Sequence, residues 1–346
     1  MQIKKAILTG GGRATRLRPI TSTMNKHSIP LANKPMIFHA IQKVVDAGIE
    51  EIFINTNPGE TELQKLVGDG GHWGIKIKFF EQTGGPQGIA HVVKLAEQFI
   101  GNDPFMFYLS DNVILGSLKD ILDEFVAGGH DSMLALAEVP NAKHFGVPYF
   151  DEQGRLIDVV EKPENPPNNF AVTGIYLYGP GVFFKAFDNI TKSARGEYEI
   201  SSINSYILKN KQKVGHKIIT GWWKDTGQPD DLITANRLLM DEMTGGKSKI
   251  GVGTTVGENV KIIDPVIVGE NCTLENCTIG PHVTIGSGSI IKGGVQISNS
   301  IILNNCHLDI AEKIVDSIVG EKVTIVQKHP EHYHRMIVGD QTIIEM

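Results

Sequence analysis

The chain has 346 residues, of which 41% are hydrophobic and 21% are charged, a composition typical of a globular protein of about two domains. Its formal net charge of −6 argues against general nucleic-acid binding. No run of about 18 apolar residues is present, so we expect no membrane-spanning helix. The first residues show no signal-peptide pattern, and three cysteines form no disulfide framework, so we expect a cytoplasmic protein.

Up to residue 243 the sequence alternates between strand-like and helix-like patterns. A first strand at Ala6–Leu8 precedes a helix at Pro35–Ala47, in which apolar residues recur on one face. The pattern continues with strands at Glu51–Asn55, Ile75–Phe80, Phe105–Leu109 and Ser132–Glu138, and with helices at Glu60–Val67, Gly88–Phe99 and Leu118–Phe125. This alternation predicts an α/β domain with a mostly parallel sheet, which binds its ligands beyond the carboxyl ends of the strands.

Residues 148 to 178 indicate a β-hairpin followed by one more strand, and these are antiparallel features within the same domain. Helical patterns follow at Gly181–Phe187, Glu199–Asn210 and Pro229–Met243. The next residues, 244–249, are rich in glycine and polar side chains and predict a linker. We therefore predict a first domain at residues 1–243.

From residue 250 onward the apolar period changes to six. The series begins with Ile250, Val256, Ile262, Val268 and Leu274, resumes after a slip with Ile279, Ile285, Ile291, Ile297 and Leu303, and ends with Leu308, Ile314, Val319 and Ile325. Such a repeat, with Gly and Asn at the turns, is typical of a parallel β-helix and fits a β-sandwich poorly. We predict that residues 250–346 form a β-helix with a C-terminal cap.

The first strand leads into three glycines, Gly10, Gly11 and Gly12, which precede Arg16 and Lys26. Glycines let the backbone approach a ligand closely, and successive N–H groups in such a turn form an anion-binding nest. With cationic side chains nearby, this stretch predicts a polyphosphate site, whereas the glycines alone would also fit a flexible turn. The Walker A and Rossmann fingerprints do not match the loop.

Two aspartates are candidates for a metal site. Asp111 follows the apolar strand Phe105–Leu109 and should lie at the same sheet edge as the glycine loop. Mg²⁺ is usually held by one or two carboxylates plus substrate phosphates, which makes this position suitable. A turn-forming Asp-Asn pair is the alternative. Asp225, in Trp222-Trp223-Lys224-Asp225, is the second candidate.

The glycine-rich string resembles the signature of the sugar-nucleotide pyrophosphorylases, which join a nucleoside triphosphate to a sugar 1-phosphate. That signature is Gly-Gly-x-Gly-Thr-Arg-Leu-x-Pro-x-Thr followed by Pro-Lys. The glycine run that includes Gly10 and Gly11 supplies its Gly-Gly pair, and the later matches are Thr15, Arg16, Leu17, Pro19, Thr21 and Lys26. Ala14 stands where the family usually has glycine, and Asn25 stands where it usually has proline. Within the family, the chain resembles the long-form glucose-1-phosphate thymidylyltransferases.

This resemblance implies a Rossmann-like nucleotidyltransferase domain with a mixed, mostly parallel sheet, followed by a left-handed parallel β-helix. It implies nucleotide-binding roles for Gly10, Gly11, Gly12, Thr15, Arg16, Gln82, Gly88 and Asp111. It implies sugar-phosphate-binding roles for Gly146, Glu161, Lys162, Val172, Tyr176, Arg195 and Trp223. The implied catalytic residues are Arg16, Lys26 and Lys162, and the implied Mg²⁺ ligands are Asp111 and Asp225.

The implied reaction is that of dTTP with glucose 1-phosphate to give dTDP-glucose and pyrophosphate. The amide of Gln82 suits the O4 and N3–H edge of thymine, but it suits uracil equally, so UTP stays open as the substrate. Gln87 is a rival for the same role, because the loop between them is one residue longer than usual.

Two other functions stay open. Six-residue-repeat β-helices also occur in acyltransferases, so a bifunctional enzyme with His282 or His307 as its catalytic histidine is possible. A non-catalytic regulatory subunit is the other alternative, and Ala14 and Asn25 are the features that favour it. Because the flat faces of a β-helix can stack between subunits, we expect a homo-oligomer. We expect the repeat to serve assembly, since every matched substrate residue precedes residue 226.

Overall fold

The computed structural model of the chain describes residues 2–12 and 14–327. The strands up to residue 225 are β1 (Lys5–Thr9), β2 (Pro30–Leu31), β3 (Lys34–Pro35), β4 (Glu51–Thr56), β5 (Lys76–Glu81), β6 (Phe105–Tyr108), β7 (Asn112–Ile114), β8 (Ser132–Glu138), β9 (Gly146–Phe150), β10 (Leu156–Glu161), β11 (Phe170–Tyr178), β12 (Val214–Ile218) and β13 (Trp223–Asp225). The helices are α1 (Met36–Asp46), α2 (Glu62–Val67), α3 (Ile89–Leu95), α4 (Glu97–Ile100), α5 (Lys119–Gly128), α6 (Val182–Phe187), α7 (Ile200–Lys209) and α8 (Pro229–Thr244).

The chain divides into two compact units. The first, here called the sheet unit, comprises residues 2–12 and 37–223. The second, here called the β-helix unit, comprises residues 14–36 and 224–327 of the described chain. The predicted domain limits at residues 243 and 250 stay a prediction. No helix in the described part of the chain is long and apolar enough to cross a membrane.

The sheet unit is built on one nine-stranded sheet with the order β10-β9-β11-β6-β1-β4-β5, and β8 and β12 continue from β11. Strand β1 pairs in parallel with β4 and β6, whereas β11 is antiparallel to β6, β8 and β9. Strand β5 is parallel to β4, β12 is parallel to β8, and β10 is antiparallel to β9. All strands except β10 and β11 therefore run in one direction, which confirms the predicted mixed, mostly parallel sheet.

The sheet is buried on both faces because its central strands alternate apolar residues between two cores. Ala6 and Leu8 of β1 lie in one core with Ile37 and Ile41 of α1. Ile7, between them in sequence, lies in the other core, together with buried residues of α3, α6 and α7. Successive side chains of a strand point to opposite faces of the sheet. Because helices cover both faces here, Ala6, Ile7 and Leu8 are all buried, and they form a continuous apolar run.

The short strands β2, β3, β7 and β13 were not predicted, and two longer features also differ from the prediction. The edge strand β12 was missed because its sequence, Val-Gly-His-Lys-Ile, has neither an apolar run nor an alternation of apolar and polar residues. A strand that pairs on one side only can form without either pattern. The helix predicted at Gly88–Phe99 is interrupted at Ala96, which separates α3 from α4.

The β-helix unit contains short strands in three stacked parallel sheets, the arrangement of a left-handed parallel β-helix. The strands are β14 (Lys249–Ile250), β15 (Thr255–Val256), β16 (Val260–Ile262), β17 (Val266–Val268), β18 (Thr273–Leu274), β19 (Cys277–Ile279), β20 (Val283–Ile285), β21 (Ile290–Lys292), β22 (Gln296–Ser298), β23 (Ser300–Ile302), β24 (His307–Asp309), β25 (Lys313–Val315), β26 (Ile318–Val319) and β27 (Thr324–Val326). The predicted fold class is thereby confirmed.

The register of the coils follows the six-residue series, with one correction. Ile302 pairs with Ile285 and Val319, so the slip falls before position 302. The member of the series is therefore Ile302, and the predicted Leu303 is wrong. Leu303 is nevertheless buried, which explains why the pattern could be assigned to either residue. The predicted C-terminal cap lies outside the described residues.

Residues 14–36 pack with α8 and the β-helix. The Asn33 side chain donates to the carbonyl oxygens of Ile267 (3.2 Å) and Ile285 (2.8 Å) on neighbouring coils. The backbone N–H of Ala32 donates to Asn236 Oδ1 at 2.7 Å on α8. This segment, which carries Arg16 and Lys26, is therefore tied to the repeat by direct hydrogen bonds.

Candidate functional site

The glycine loop lies at the carboxyl end of β1 and is held by two asparagines. The N–H of Gly10 donates to Asn55 Oδ1 at 3.1 Å, and the N–H of Gly12 donates to Asn57 Oδ1 at 3.0 Å. A Cβ at Gly11 would lie 2.7 Å from Asn55 Nδ2, so a side chain there would displace the Asn55 amide. Two amides of the predicted nest are thus hydrogen-bonded to side chains in this structure, and their phosphate role stays a prediction.

Asn55 also connects the glycine loop to the candidate base-recognition residue. Its Nδ2 lies 3.5 Å from Gln82 Oε1, and Gln82 N donates to Thr56 O at 2.9 Å. The rival Gln87 instead donates from Nε2 to Gly84 O within its own loop, at 3.1 Å. Of the two glutamines, Gln82 is therefore the one placed beside the glycine loop.

Neither Asn55 nor Asn57 was among the residues predicted from sequence, although a signal for them existed. Both follow the apolar run of β4, and β4 is the parallel neighbour of β1. Polar residues at the carboxyl ends of adjacent parallel strands meet at one sheet edge. The run Asn55-Thr56-Asn57 therefore carried the same positional information as Asp111.

Asp111 lies at this edge, as predicted. Strand β6 pairs with β1 so that Tyr108 faces Leu8, and the N–H of Ser110 donates to Thr9 Oγ1 at 2.9 Å. The Asp111 Oδ1 accepts a hydrogen bond from Asn112 Nδ2 at 2.9 Å. Burial, followed by the nearby Asp111 charge, raises the pKa of Tyr108.

Trp223 extends this cluster toward the second group of predicted residues. Its Nε1 donates to Asn112 Oδ1 at 2.8 Å, and its ring meets Phe145 edge-on with centroids 5.4 Å apart. Phe145 immediately precedes Gly146, so Trp223 connects the surroundings of Asp111 to the other predicted sugar-phosphate residues.

The predicted sugar-phosphate residues meet around the Glu161 carboxylate. Arg195 Nη2 lies 3.5 Å and Lys162 Nζ lies 3.8 Å from Glu161 Oε1. A Cβ at Gly146 would lie 3.5 Å from Glu161 Oε2 and 3.8 Å from Val172 Cβ. The structure thus gathers one carboxylate and two cations beside a residue without a side chain.

Burial raises the pKa of the Glu161 carboxyl, while Lys162 and Arg195 pull this pKa down and Glu199 pushes it up. Arg195 also forms a two-point contact with Glu199, from Nε to Oε1 at 3.2 Å and from Nη2 to Oε2 at 2.8 Å. Tyr176 is buried beneath the group, and burial together with the Glu161 charge raises its pKa, so its phenol stays neutral.

Four more of the predicted residues, Thr15, Arg16, Lys26 and Asp225, belong to the β-helix unit. Thr15 and Arg16 lie in a short 3-10 turn, and Lys26 begins another. Both Asp225 carboxylate oxygens (3.5 and 3.6 Å) and Arg16 Nη1 (3.7 Å) surround the position that a Cβ at Gly227 would occupy. The structure therefore brings the predicted catalytic arginine close to one predicted metal ligand.

Ala14 and Asn25, the two departures from the family signature, have backbone conformations that glycine and proline also adopt. Ala14 has φ 43° and ψ 41°, the left-handed region that glycine enters without strain. Asn25 has φ −67°, which is the value that proline imposes, and its Oδ1 accepts from His27 N at 2.8 Å. The loop therefore adopts the shape that glycine and proline would give, with some strain at Ala14.

Comparison with known proteins identifies the family. The model described as nucleotidyl transferase matches residues 5–242, which is more than half of the chain. The chain belongs to the nucleotidyl transferase family. A second model, described as the GMPPB C-terminal domain, matches residues 262–345. The prediction that this is a nucleotidyltransferase enzyme is confirmed.

Relatives within this family align along nearly the whole chain. The low-salt glycan biosynthesis nucleotidyltransferase Agl11 of Haloferax volcanii is 33% identical over 360 residues, covering 99% of this chain and all of the relative. A glucose-1-phosphate thymidylyltransferase of Streptomyces griseus is 32% identical over 353 residues, covering 98% of both chains. A crystal structure from Bacillus anthracis, in complex with sucrose, has a TM-score of 0.63 and 34% identity, covering 68% of this chain and 94% of that one.

Proposed function

We propose that this nucleotidyltransferase transfers the thymidylyl group of dTTP to glucose 1-phosphate, giving dTDP-glucose and pyrophosphate. The relatives from Streptomyces griseus and Streptomyces antibioticus that carry the name glucose-1-phosphate thymidylyltransferase support this substrate pair. The observation that carries the proposal is the group formed by Glu161, Lys162 and Arg195. It offers a carboxylate for sugar hydroxyls and two cations for a phosphate within one small region.

The reaction needs no general base. A phosphate monoester has a second pKa of about 6, so glucose 1-phosphate carries an anionic oxygen at neutral pH. That oxygen forms a bond to the α-phosphorus of dTTP, and the bond from the α-phosphorus to the bridging oxygen breaks. Pyrophosphate leaves with the electron pair. The protein contributes alignment of the two reactants and neutralisation of their charge.

Each group of residues has a role in this scheme. Lys162 and Arg195 bind the sugar phosphate, and Glu161 accepts from a sugar hydroxyl. Gln82 hydrogen-bonds the base through its amide, while Gly88 and the glycine loop form part of the nucleotide-binding surface. Arg16 and Lys26 neutralise the triphosphate and the leaving pyrophosphate, which lowers the barrier at the α-phosphorus.

Asp111 and Asp225 are the residues proposed to hold Mg²⁺. Both offer hard carboxylate oxygens, and Asp111 is oriented by the amide of Asn112. The described part of the chain contains no group of three or more His, Cys, Asp or Glu suited to a metal. This sparse donor set fits Mg²⁺, which completes its shell with water and substrate phosphates. When bound, Mg²⁺ supplies positive charge between the two phosphate-bearing substrates.

UTP is the second candidate nucleotide. The Agl11 relative is named for glycan biosynthesis and not for a thymidylyl group, and Gln82 offers the same hydrogen bonds to uracil as to thymine. Ala14 and Asn25 have backbone angles that glycine and proline also adopt, so the shape of the loop gives no support to a regulatory subunit. A bifunctional acetyltransferase with His282 or His307 as its catalytic histidine stays the other alternative.

The deciding experiment measures pyrophosphate release from the full-length protein, glucose 1-phosphate and Mg²⁺ with dTTP, UTP, ATP or GTP. We expect the highest kcat/KM with dTTP. A matched arm replaces glucose 1-phosphate with galactose 1-phosphate, mannose 1-phosphate or glucosamine 1-phosphate. Higher kcat/KM with UTP, or with another sugar, would replace the proposed substrate. A coenzyme A release assay with acetyl-CoA and glucosamine 1-phosphate tests the bifunctional alternative, and we expect no release.

A further inference from the structure

Two loops of the sheet unit, one from each predicted substrate side, are joined by a backbone hydrogen bond. The first is the 83–88 loop, which separates Gln82 from α3 and ends at Gly88. The second is the 193–199 segment, which carries Arg195 and leads into α7. Their junction is Tyr198, a residue that the sequence analysis gave no role.

The backbone of Tyr198 encloses Gly88. Its N–H donates to Gln87 O at 2.8 Å, and its carbonyl accepts from Ala90 N at 3.4 Å. Gly88 has φ 93°, and a Cβ there would lie 2.5 Å from Tyr198 O and 2.9 Å from Tyr198 N. No side chain fits between them, so a shift of the 83–88 loop must move Tyr198.

The ring of Tyr198 fixes the same segment to the helices around it. Its centroid lies 4.7 Å from that of Phe187 and 6.3 Å from that of His91 on α3. Lys192 Nζ lies over the face of the Tyr198 ring, 5.4 Å from its centroid. Since each of these contacts uses the ring and none uses the hydroxyl, phenylalanine could replace tyrosine here.

Arg195 moves with Tyr198 because the 193–199 segment is closed on itself. Ser193 N donates to Glu197 O at 2.8 Å, and Ser193 Oγ donates to Glu199 Oε1 at 2.7 Å. Glu199 follows Tyr198 directly and holds the Arg195 guanidinium at two points. The guanidinium position therefore depends on where Tyr198 places Glu199.

We propose that Tyr198 is a positioning residue that couples nucleotide binding at the 83–88 loop to sugar-phosphate binding at Arg195. The coupling rests on the proposed function, because it requires both substrates to use these two loops. A nucleotide that orders the 83–88 loop fixes Tyr198, and Arg195 is then already aligned when the sugar phosphate arrives. By linkage, each ligand raises the affinity for the other by the same factor.

The test is calorimetric titration of the full-length protein with glucose 1-phosphate, alone and in the presence of saturating dTMP or UMP. These monophosphates carry the base but allow no turnover. For the wild type we expect glucose 1-phosphate to bind at least about fivefold more tightly when the nucleotide is present. In Tyr198→Ala each ligand alone should bind within about twofold of wild type, and this enhancement should fall to about one.

Three further variants separate positioning from general destabilisation. Tyr198→Phe should keep the full enhancement. Tyr198→Leu keeps apolar volume and should lose the enhancement, so it provides the test if Tyr198→Ala does not fold. Tyr206→Ala is the matched control, since Tyr206 packs against the same core from α7 and belongs to neither loop. It should lower the melting temperature and leave the enhancement unchanged.

The outcomes distinguish this inference from the proposed function. Binding of both probes to the wild type without enhancement, or an enhancement that survives in Tyr198→Leu, overturns the coupling alone. Failure of glucose 1-phosphate and both monophosphates to bind the wild type overturns the proposed substrate pair and the coupling with it.

Discussion

Arg16 is the residue for which the expected effect of substitution on turnover is largest. Arg16 follows the glycine loop in sequence, and its Nη1 lies 3.7 Å from the position that a Cβ at Gly227 would occupy, which the Asp225 carboxylate also approaches. We predict that Arg16→Ala lowers kcat by about 10², as loss of a charge contact made in the transition state does. Arg237→Ala, which removes an exposed charge from α8, is the matched control and should leave kcat unchanged. Near wild-type kcat in a folded Arg16→Ala variant would rule out the assigned role.

Ala14 gives a prediction about stability. Left-handed backbone costs a non-glycine residue roughly 1–2 kcal/mol, and part of this is offset by the greater flexibility of glycine when unfolded. Ala14→Gly should therefore raise the free energy of unfolding by up to about 1 kcal/mol, measured by urea titration. Ala127→Gly, in the last turn of α5, should do the opposite. A loss of stability in Ala14→Gly would show that the left-handed conformation carries no strain in the folded protein.

At the scale of elements, the carboxyl ends of β1, β4 and β6 account for most of what could be predicted about the nucleotide side. Apolar runs located these strands, and parallel register then placed Asp111 beside the glycine loop. Asn55 and Asn57 lie at the third strand end, yet an asparagine pair where a strand ends has many ordinary explanations. Their contacts with Gly10 and Gly12 depend on long-range packing that no local pattern expresses.

The β-helix could be predicted because each coil repeats the same side-chain environment, so the period survives in the sequence. One slip of the six-residue period was placed a residue too late. Ile302 and Leu303 are both buried there, so hydrophobicity could not distinguish them. The sugar-phosphate group is different. Glu161 and Arg195 are 34 residues apart and were linked only through family resemblance, because no spacing rule connects β10 to the segment before α7.

The two candidate metal ligands, Asp111 and Asp225, give a prediction about Mg²⁺ dependence. If Asp111 and Asp225 hold Mg²⁺ as proposed, Asp111→Asn and Asp225→Asn should each raise the Mg²⁺ concentration needed for half-maximal activity. An amide keeps the shape of the carboxylate but loses its charge, so the metal is bound more weakly. Asp103→Asn, which changes an exposed carboxylate that pairs with Lys5, is the matched control. An unchanged Mg²⁺ titration in both site variants would exclude the pair as ligands.

At the scale of the whole molecule, the structure changes the expected role of the β-helix. Sequence alone suggested that the repeat serves assembly and could be removed without harm to catalysis. The hydrogen bonds from Asn33 to the coils, however, fasten the segment that carries Arg16 and Lys26 to the repeat. Removing the coils takes away the partners of Asn33 and leaves this segment with fewer contacts, among them those with α8, so the loop should lose order even if the sheet unit folds.

We therefore predict that a chain ending at Thr244 has a lower melting temperature and a lower kcat than the full chain. Asn33→Ala in the full chain should reproduce part of the loss in kcat, because it removes both hydrogen bonds and strains a position with φ 59°. Asn33→Gly, which keeps the backbone conformation and removes only the bonds, separates the two causes. Sedimentation velocity on the truncated and full chains reports the oligomeric state independently. Wild-type kcat in the truncated chain would restore assembly as the sole role of the repeat.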